Sequence, residues 1–178
     1  MELGFYRLYE NVTIPSFATK ESACFDIKAH LADNDGRGLQ IKVVDVDNVP
    51  SSGPNISREW LRLTPYQFLL APGWRALIPT GLILKIPSGH SVRLHPRSGL
   101  AFKHGLVLAN SEGVIDSDYF DELMILVTNT SKQQVTINHG DKICQGELVQ
   151  SLQYSLTEIH TRPTWTTDRV GGFGSTGV

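Results

Sequence analysis

Four carboxylates fall within seven residues of GVIDSDYFDEL (113–123): Asp116, Asp118, Asp121 and Glu122. Apolar Val114 and Ile115 lead into them, so the group sits where a strand runs into a turn. A carboxylate placed there can take a proton from water or approach a hydrated metal ion. Asp and Ser also build such turns for conformational reasons alone, and a D-x-D by itself leaves both readings open. HPRSGLA (95–101) sets a guanidinium, a hydroxyl and a glycine amide in succession at an expected helix start, a combination suited to phosphate oxygens. A surface turn with an Arg–carboxylate pair is the competing reading. GDKICQGEL (140–148) begins with a Gly-Asp turn and enters a strand, with Gln145 as a candidate phosphate donor. The chain ends DRVGGFGSTGV, where four of the last eight residues are glycine around one phenylalanine and a Ser-Thr pair. Such a stretch is either a loose tail or an arm that wraps a phosphate-rich ligand. No segment has Walker or Rossmann spacing, no His/Cys pair has zinc spacing, and GxSxG is missing.

The elements that must position these groups are short and extended. RALIPTGLILKI (75–86), SVRL (91–94), GLVLA (105–109), LMILVTN (123–129), QVTI (134–137) and KICQGELV (142–149) are apolar or alternating runs. Each is bounded by Gly, Pro, Asn or Asp. Many short strands separated by turn signals predict an all-β sandwich or barrel. LMILVTN is apolar at consecutive positions, which predicts a strand buried on both faces. One short helix is expected after Pro96, around SGLAFKHG. Residues 33–65 alternate at Leu39, Ile41 and Val43 before a Pro/Ser/Gly turn, and read as an inserted hairpin or flap laid on the domain. Residues 157–170 are polar without period and read as a linker to the glycine tail. The expected organisation is therefore a body over 1–156 and a linker with arm over 157–178.

Composition sets wide bounds. At 178 residues, 40% hydrophobic and 19% charged, the chain is long enough for one domain with its own core. A formal net charge of -2 without a Lys/Arg run argues against direct nucleic-acid binding. No apolar run approaches the ~20 residues of a membrane span. The amino terminus lacks the pattern of a signal peptide, and two cysteines suit a reducing compartment. A soluble, intracellular, cytoplasmic protein is the expectation.

In their order along the chain, with PSFATKESACFDIKA (15–29) in front, these segments resemble the five motifs of the trimeric dUTPase family. SACFDI is similar to the first motif, HPRSGLA to the second, LANSEGVIDSDY to the third, GDKICQGEL to the fourth and RVGGFGSTG to the fifth. LAPGWRALIPTGLILKIP (70–87) resembles the segment between the first two. The likeness covers residues 14–32 and 67–178. It implies a distorted jelly-roll (β-clip) subunit with one short helix and a flexible C-terminal arm. It also implies a homotrimer with three sites shared at its interfaces. The activity implied is hydrolysis of dUTP to dUMP and pyrophosphate with Mg²⁺, limiting uracil in DNA and supplying dUMP for thymidylate synthesis.

Residue by residue, the resemblance makes Asp116 the group that orients and deprotonates the attacking water. Asn110, with Val114 and Ile115 of the same hairpin, would read the uracil, and Tyr119 would pack under the deoxyribose. Arg97, Ser98 and Gly99 would hold phosphates of a neighbouring subunit's substrate, supported by Gln145. Asp26 would lie near the metal and its waters. Phe173 would stack on uracil, while Arg169, Ser175 and Thr176 would grip the terminal phosphate, so that the tail acts as a lid. The chain departs from the family pattern at Cys24, His95, Asp121 and Cys144; Asp121 would raise the Asp116 pKa if it pointed into the site. His104 and His139 read as structural or surface residues. The rival readings are a dCTP deaminase-like enzyme and a trimeric regulatory scaffold that binds a protein partner through the 33–65 insert.

Overall fold

The computed structural model describes residues 1–39, 41–44, 60–61, 66–164 and 166–167. Along the chain these form β1 (Gly4–Arg7), β2 (Ser16–Phe17), β3 (Phe25–Lys28), β4 (Ile41–Val44), β5 (Trp60–Leu61), β6 (Gln67–Leu70), β7 (Arg75–Pro79) and β8 (Leu82–Lys85). There follow β9 (His90–Pro96), the single helix α1 (Ser98–His104), β10 (Leu106–Leu108), β11 (Gly113–Ile115), β12 (Met124–Asn129), β13 (Val135–Asn138) and β14 (Lys142–Gln150).

The pairing is antiparallel throughout, in two five-stranded sheets ordered β10-β12-β7-β4-β5 and β11-β9-β14-β3-β2, with two ribbons, β1-β8 and β13-β6. Side chains from both sheets and both ribbons meet in one buried cluster that includes Ile27, Phe68, Leu70, Ile78, Val92 and Ile125. This is the all-β jelly-roll expected from the runs of short strands, and the one helix stands where SGLAFKHG predicts it. Among the described residues no helix is long and apolar enough to cross a membrane.

Two details differ from expectation. β12 alternates buried and half-buried side chains, so within one chain only one of its faces is fully buried. The hairpin of the 33–65 segment does not merely lie on the domain: β4 pairs with β7 inside a main sheet, with Ile41 and Val43 in the core. Residues 40, 45–59 and 62–65 of that segment lie outside the described residues.

The connections explain how the functional loops are held. α1 ends at Gly105, whose left-handed backbone (φ 65°) lets its amide bond back to the carbonyls of Leu100 and Ala101 and release the chain into β10. β10 and β11 belong to different sheets, so the 109–112 turn crosses from one to the other. It is tight: Ser111 donates to the Leu108 carbonyl, and Ser111 itself adopts φ 63°. Gly113 completes the crossing, because a Cβ there would lie 2.8 Å from Leu94.

Candidate functional site

Asp116 leaves the end of β11, where Ile115 pairs with Val92. Its carbonyl accepts the Tyr119 amide at 3.2 Å, which closes a turn over 116–119. The far end of this loop is anchored twice. Glu122 accepts the Gly81 amide at 2.7 Å, and the Leu123 amide donates to the Leu82 carbonyl at 2.7 Å. Burial raises the Glu122 pKa, against which the bonds from Gly81 and Thr80 pull. Asp116 is exposed and lines a cleft of about 330 Å³ with Asp118, Ser117, His90, Ser151 and Gln153. Tyr119 is partly exposed and donates to the Glu122 carbonyl at 3.0 Å. Its phenol is held above its usual range by burial, then by Asp121 and Glu122. Asp121 itself is exposed.

Asn110 stands in the crossing turn, where its carbonyl accepts the Glu112 amide at 2.7 Å. Val114 is 48% exposed on β11 while Ile115 packs against the core. The strand thus offers one open apolar side chain between Asn110 and Asp116. Arg97, Ser98 and Gly99 lie beyond the other end of β9. Arg97 is the N-cap of α1; Ser98 and Gly99 are exposed, and nothing lies within 4 Å of where a Gly99 Cβ would be.

The Arg97 side chain is held from two sides. Its Nη1 donates to the Lys142 carbonyl at 2.9 Å, and its Nε lies 3.6 Å from Asp26 Oδ1. Asp26 Oδ2 pairs with Lys142 Nζ at 2.6 Å. Asp26 is 8% exposed, so a nearly buried carboxylate binds two cations whose outer faces stay in a cleft of about 470 Å³. Such an arrangement fixes a guanidinium and an ammonium for anion capture. Gln145 stands opposite both Asp26 and His95 and reaches the Pro96 carbonyl at 3.5 Å.

Lys142 is absent from the residues expected by motif, although it lies inside GDKICQGEL. Alternation along β14 would put it with Cys144 and Gly146 on the core side. A register shift between Lys142 and Cys144 changes that. With one extra residue at the bulge, Ile143 and Cys144 are both buried, and Lys142 joins Gln145 on the face of Asp26. The signal that could have found it is the pair of adjacent apolar residues, Ile143 and Cys144, in an otherwise alternating strand.

Two clusters form, and they do not meet within the chain. Asn110, Val114, Ile115, Asp116 and Tyr119 follow the β10–β11 crossing and the loop after it; Asp26, Arg97, Gln145 and Lys142 gather near the far end of β9. Arg169, Phe173, Ser175 and Thr176 lie outside the described residues. Both oxygens of Asp26 already face cations, so the residues present do not offer it as a direct metal ligand. The two remaining oddities of the motifs differ in kind. Cys144 is wholly buried, which pushes its thiol far up and makes it inert. Cys24 is half-buried, its thiol raised by burial and then by Glu147.

A family model described as dUTPase matches residues 63–177. The chain is 34% identical over 169 residues to the deoxyuridine 5'-triphosphate nucleotidohydrolase of Caulobacter vibrioides, spanning 94% of this chain and 88% of that protein. It is 47% identical over 109 residues to the corresponding protein of Rhizobium etli, spanning 61% and 69% respectively. Among solved structures, a mutant dUTPase from phage phi11 of S. aureus, described with a structural Mg(II) ion, superposes with a TM-score of 0.64 at 21% identity, covering 90% of this chain and 98% of that one.

Proposed function

The chain belongs to the dUTPase family, and on that premise we propose that its two clusters are the halves of one active site completed between subunits of a homotrimer. The reaction is hydrolysis of dUTP to dUMP and pyrophosphate. The observation that carries the reading is the full-length likeness at 34% identity to a protein named for this activity, with the motif residues gathered into a base-side and a phosphate-side cluster.

In the proposed mechanism Asp116 accepts a proton from the water that attacks the α-phosphorus. A bond forms from that water oxygen to phosphorus, the bridge to the β-phosphate breaks, and its electrons leave with pyrophosphate. An exposed carboxylate at a loop end suits this role because it can meet the attacking water directly. The hairpin amides around Asn110 read the uracil edge; cytosine would set an amino group against a backbone N–H and leave it unpaired. Val114 and Tyr119 offer apolar surface to the nucleoside.

Arg97 and Lys142, held by Asp26, take the phosphate chain of a substrate whose base lies on the neighbouring subunit; Ser98, Gly99 and Gln145 add donors. Mg²⁺ bound to the triphosphate supplies charge neutralisation along the phosphate chain. With both oxygens paired to Arg97 and Lys142, Asp26 would reach that ion only through water. Arg169, Phe173, Ser175 and Thr176 close over the substrate, and excluding water there fixes the attacking geometry.

Support for the trimer comes from apolar surface left uncovered in one chain. Leu152, Tyr154 and Leu156 are 79–91% exposed in the segment after β14, apolar surface of the kind a neighbouring subunit would cover. The body ends with β14, and 157–178 serves as linker and arm of a cytoplasmic enzyme. No observation supports a protein partner for the 33–65 insert.

Incubation of the chain with dUTP, dCTP, dTTP and UTP in Mg²⁺, assaying pyrophosphate and ammonia separately, tests the reading. Pyrophosphate from dUTP alone is expected. Ammonia from dCTP, or no turnover by folded protein, would overturn it.

A further inference from the structure

Three side chains of different chemistry converge on the polar face of the β9-β14-β3 sheet, and none has a part in the hydrolysis above. They are Cys24, just before β3; His95, on β9; and Glu147, on β14. One donor atom from each lies within 4.8 Å of the other two. His95 Nε2 and Glu147 Oε2 are 3.2 Å apart.

The backbone imposes this meeting. Phe25 pairs with Gly146, so the next step of the ladder sets Cys24 beside Glu147, while His95 pairs with Gln145 and is the diagonal neighbour of Glu147. A fourth residue lies behind them. Glu112 Oε1 is 3.8 Å from His95 Nδ1, and its other oxygen pairs with Arg93 Nη1 at 3.2 Å.

We propose that Cys24 Sγ, His95 Nε2 and Glu147 Oε2 form a binding site for a borderline divalent cation of the Zn²⁺ type, with water as the fourth ligand. The donor set selects the metal. A thiolate, an imidazole and a carboxylate together suit Zn²⁺, whereas Mg²⁺ takes oxygen donors and rejects sulfur. Tetrahedral zinc with bonds of about 2.0–2.3 Å needs its ligands roughly 3.3–3.6 Å apart. The His95–Glu147 pair, at 3.2 Å, is already close to that spacing. Cys24 Sγ, within 4.8 Å of both partners, has at most about an ångström to travel.

Glu112 stands near the other ring nitrogen of His95 while its second oxygen pairs with Arg93. At 3.8 Å from Nδ1 it lies beyond hydrogen-bond reach and adds negative charge beside the ring without fixing its tautomer. A histidine–glutamate ion pair alone would explain His95 and Glu147, but not a thiol brought into the same contact. His95 and Glu147 belong to neighbouring strands and Cys24 immediately precedes a third, so the ion would staple the start of β3 to β14 and β9, two residues from Asp26 and from Arg97. The sequence hides the site because its ligands lie 52 to 123 residues apart and share no motif spacing.

The test uses the full chain, stripped of metal under reducing conditions and without nucleotide, so its result is independent of the hydrolase reading. Titration with Zn²⁺ alone is expected to give one ion per chain at micromolar affinity or tighter and to raise the melting temperature. Co²⁺ in its place should show a thiolate charge-transfer band that persists in a large excess of Mg²⁺ and in Cys144→Ala. Cys24→Ser should abolish the band. Where Cys24→Ser fails to fold in EDTA, His95→Gln and Glu147→Gln provide the same comparison. Absence of stoichiometric binding, a Co²⁺ spectrum without thiolate character, or undiminished binding in the folded ligand variants would overturn the proposal.

Discussion

Asp116 and Arg97 stand at opposite ends of the same strand. Asp116 follows Ile115, which pairs with Val92 near the start of β9, and Arg97 comes directly after Pro96 at its end. Seven residues of extended chain separate these ends by about 20 Å. That exceeds the span of one triphosphate bound in line. A general base and a phosphate clamp so placed, in the roles proposed above, would serve one substrate by coming from different chains.

Replacing the base with an isosteric amide isolates its chemistry. Asp116→Asn should lower kcat for dUTP about a hundred- to ten-thousand-fold. Because Asp116 is exposed, the melting temperature should stay within a degree or two. Steady-state kinetics with a thermal melt reads both, and near-normal turnover would move the base elsewhere.

Division of the site between chains is tested by mixing two inactive proteins. Arg97→Ala and Asp116→Asn, unfolded together and refolded, should recover roughly a quarter of wild-type activity if each site draws the two residues from different subunits of randomly assembled trimers. No recovery is expected if one chain supplies both.

Asp26 is nearly buried between Lys142 and Arg97, so Asp26→Asn leaves two cations without their partner. A loss of about 1–3 kcal/mol in stability is expected, discounted because both cations remain partly hydrated. Lys142→Met should instead act on binding, raising KM for dUTP about tenfold while the fold holds. Chemical denaturation and kinetics on the two variants separate these effects.

Acid should destabilise the fold through His30. Its side chain is almost wholly buried, stacked on Tyr9 and beside His139, with Nε2 lacking a partner. Burial, then repulsion from His139, depress its pKa from 6.5 to about 4. The unfolded chain therefore binds a proton more readily than the native one. Stability is present above pH ~6.5 and is lost as pH falls toward 4, on the order of 3 kcal/mol from this residue. His30→Gln should flatten the melting temperature against pH across that window, and an unchanged slope would assign the acid sensitivity to other groups.

The 157–178 segment carries the four residues assigned to the lid. A chain ending before Arg169 should keep its fold and lose most of its turnover, which single-turnover kinetics on dUTP would read.

Much of this protein is legible in its linear order. Turn residues between short β-branched runs foretell an all-β fold because local sterics decide strand and turn within a few residues. The short helix after Pro96 is foretold by SGLAFKHG for the same reason. The partition of β12 into a buried and a half-buried face was not legible, since a run of apolar residues is silent about which neighbours cover it. Nor was the place of β4 inside a main sheet, which depends on pairing with β7 more than 30 residues away.

What the sequence determined by itself was the local chemistry: which side chains are present, the turns they favour, and the family to which their order belongs. What the tertiary structure decided was company. A one-residue bulge in β14 turned Lys142 toward Asp26, strand pairing brought Cys24, His95 and Glu147 to one point, and the length of β9 kept Asp116 and Arg97 apart. Each depends on register between distant segments, and register is set by burying one face of a whole sheet, a cooperative condition that no single stretch of chain encodes.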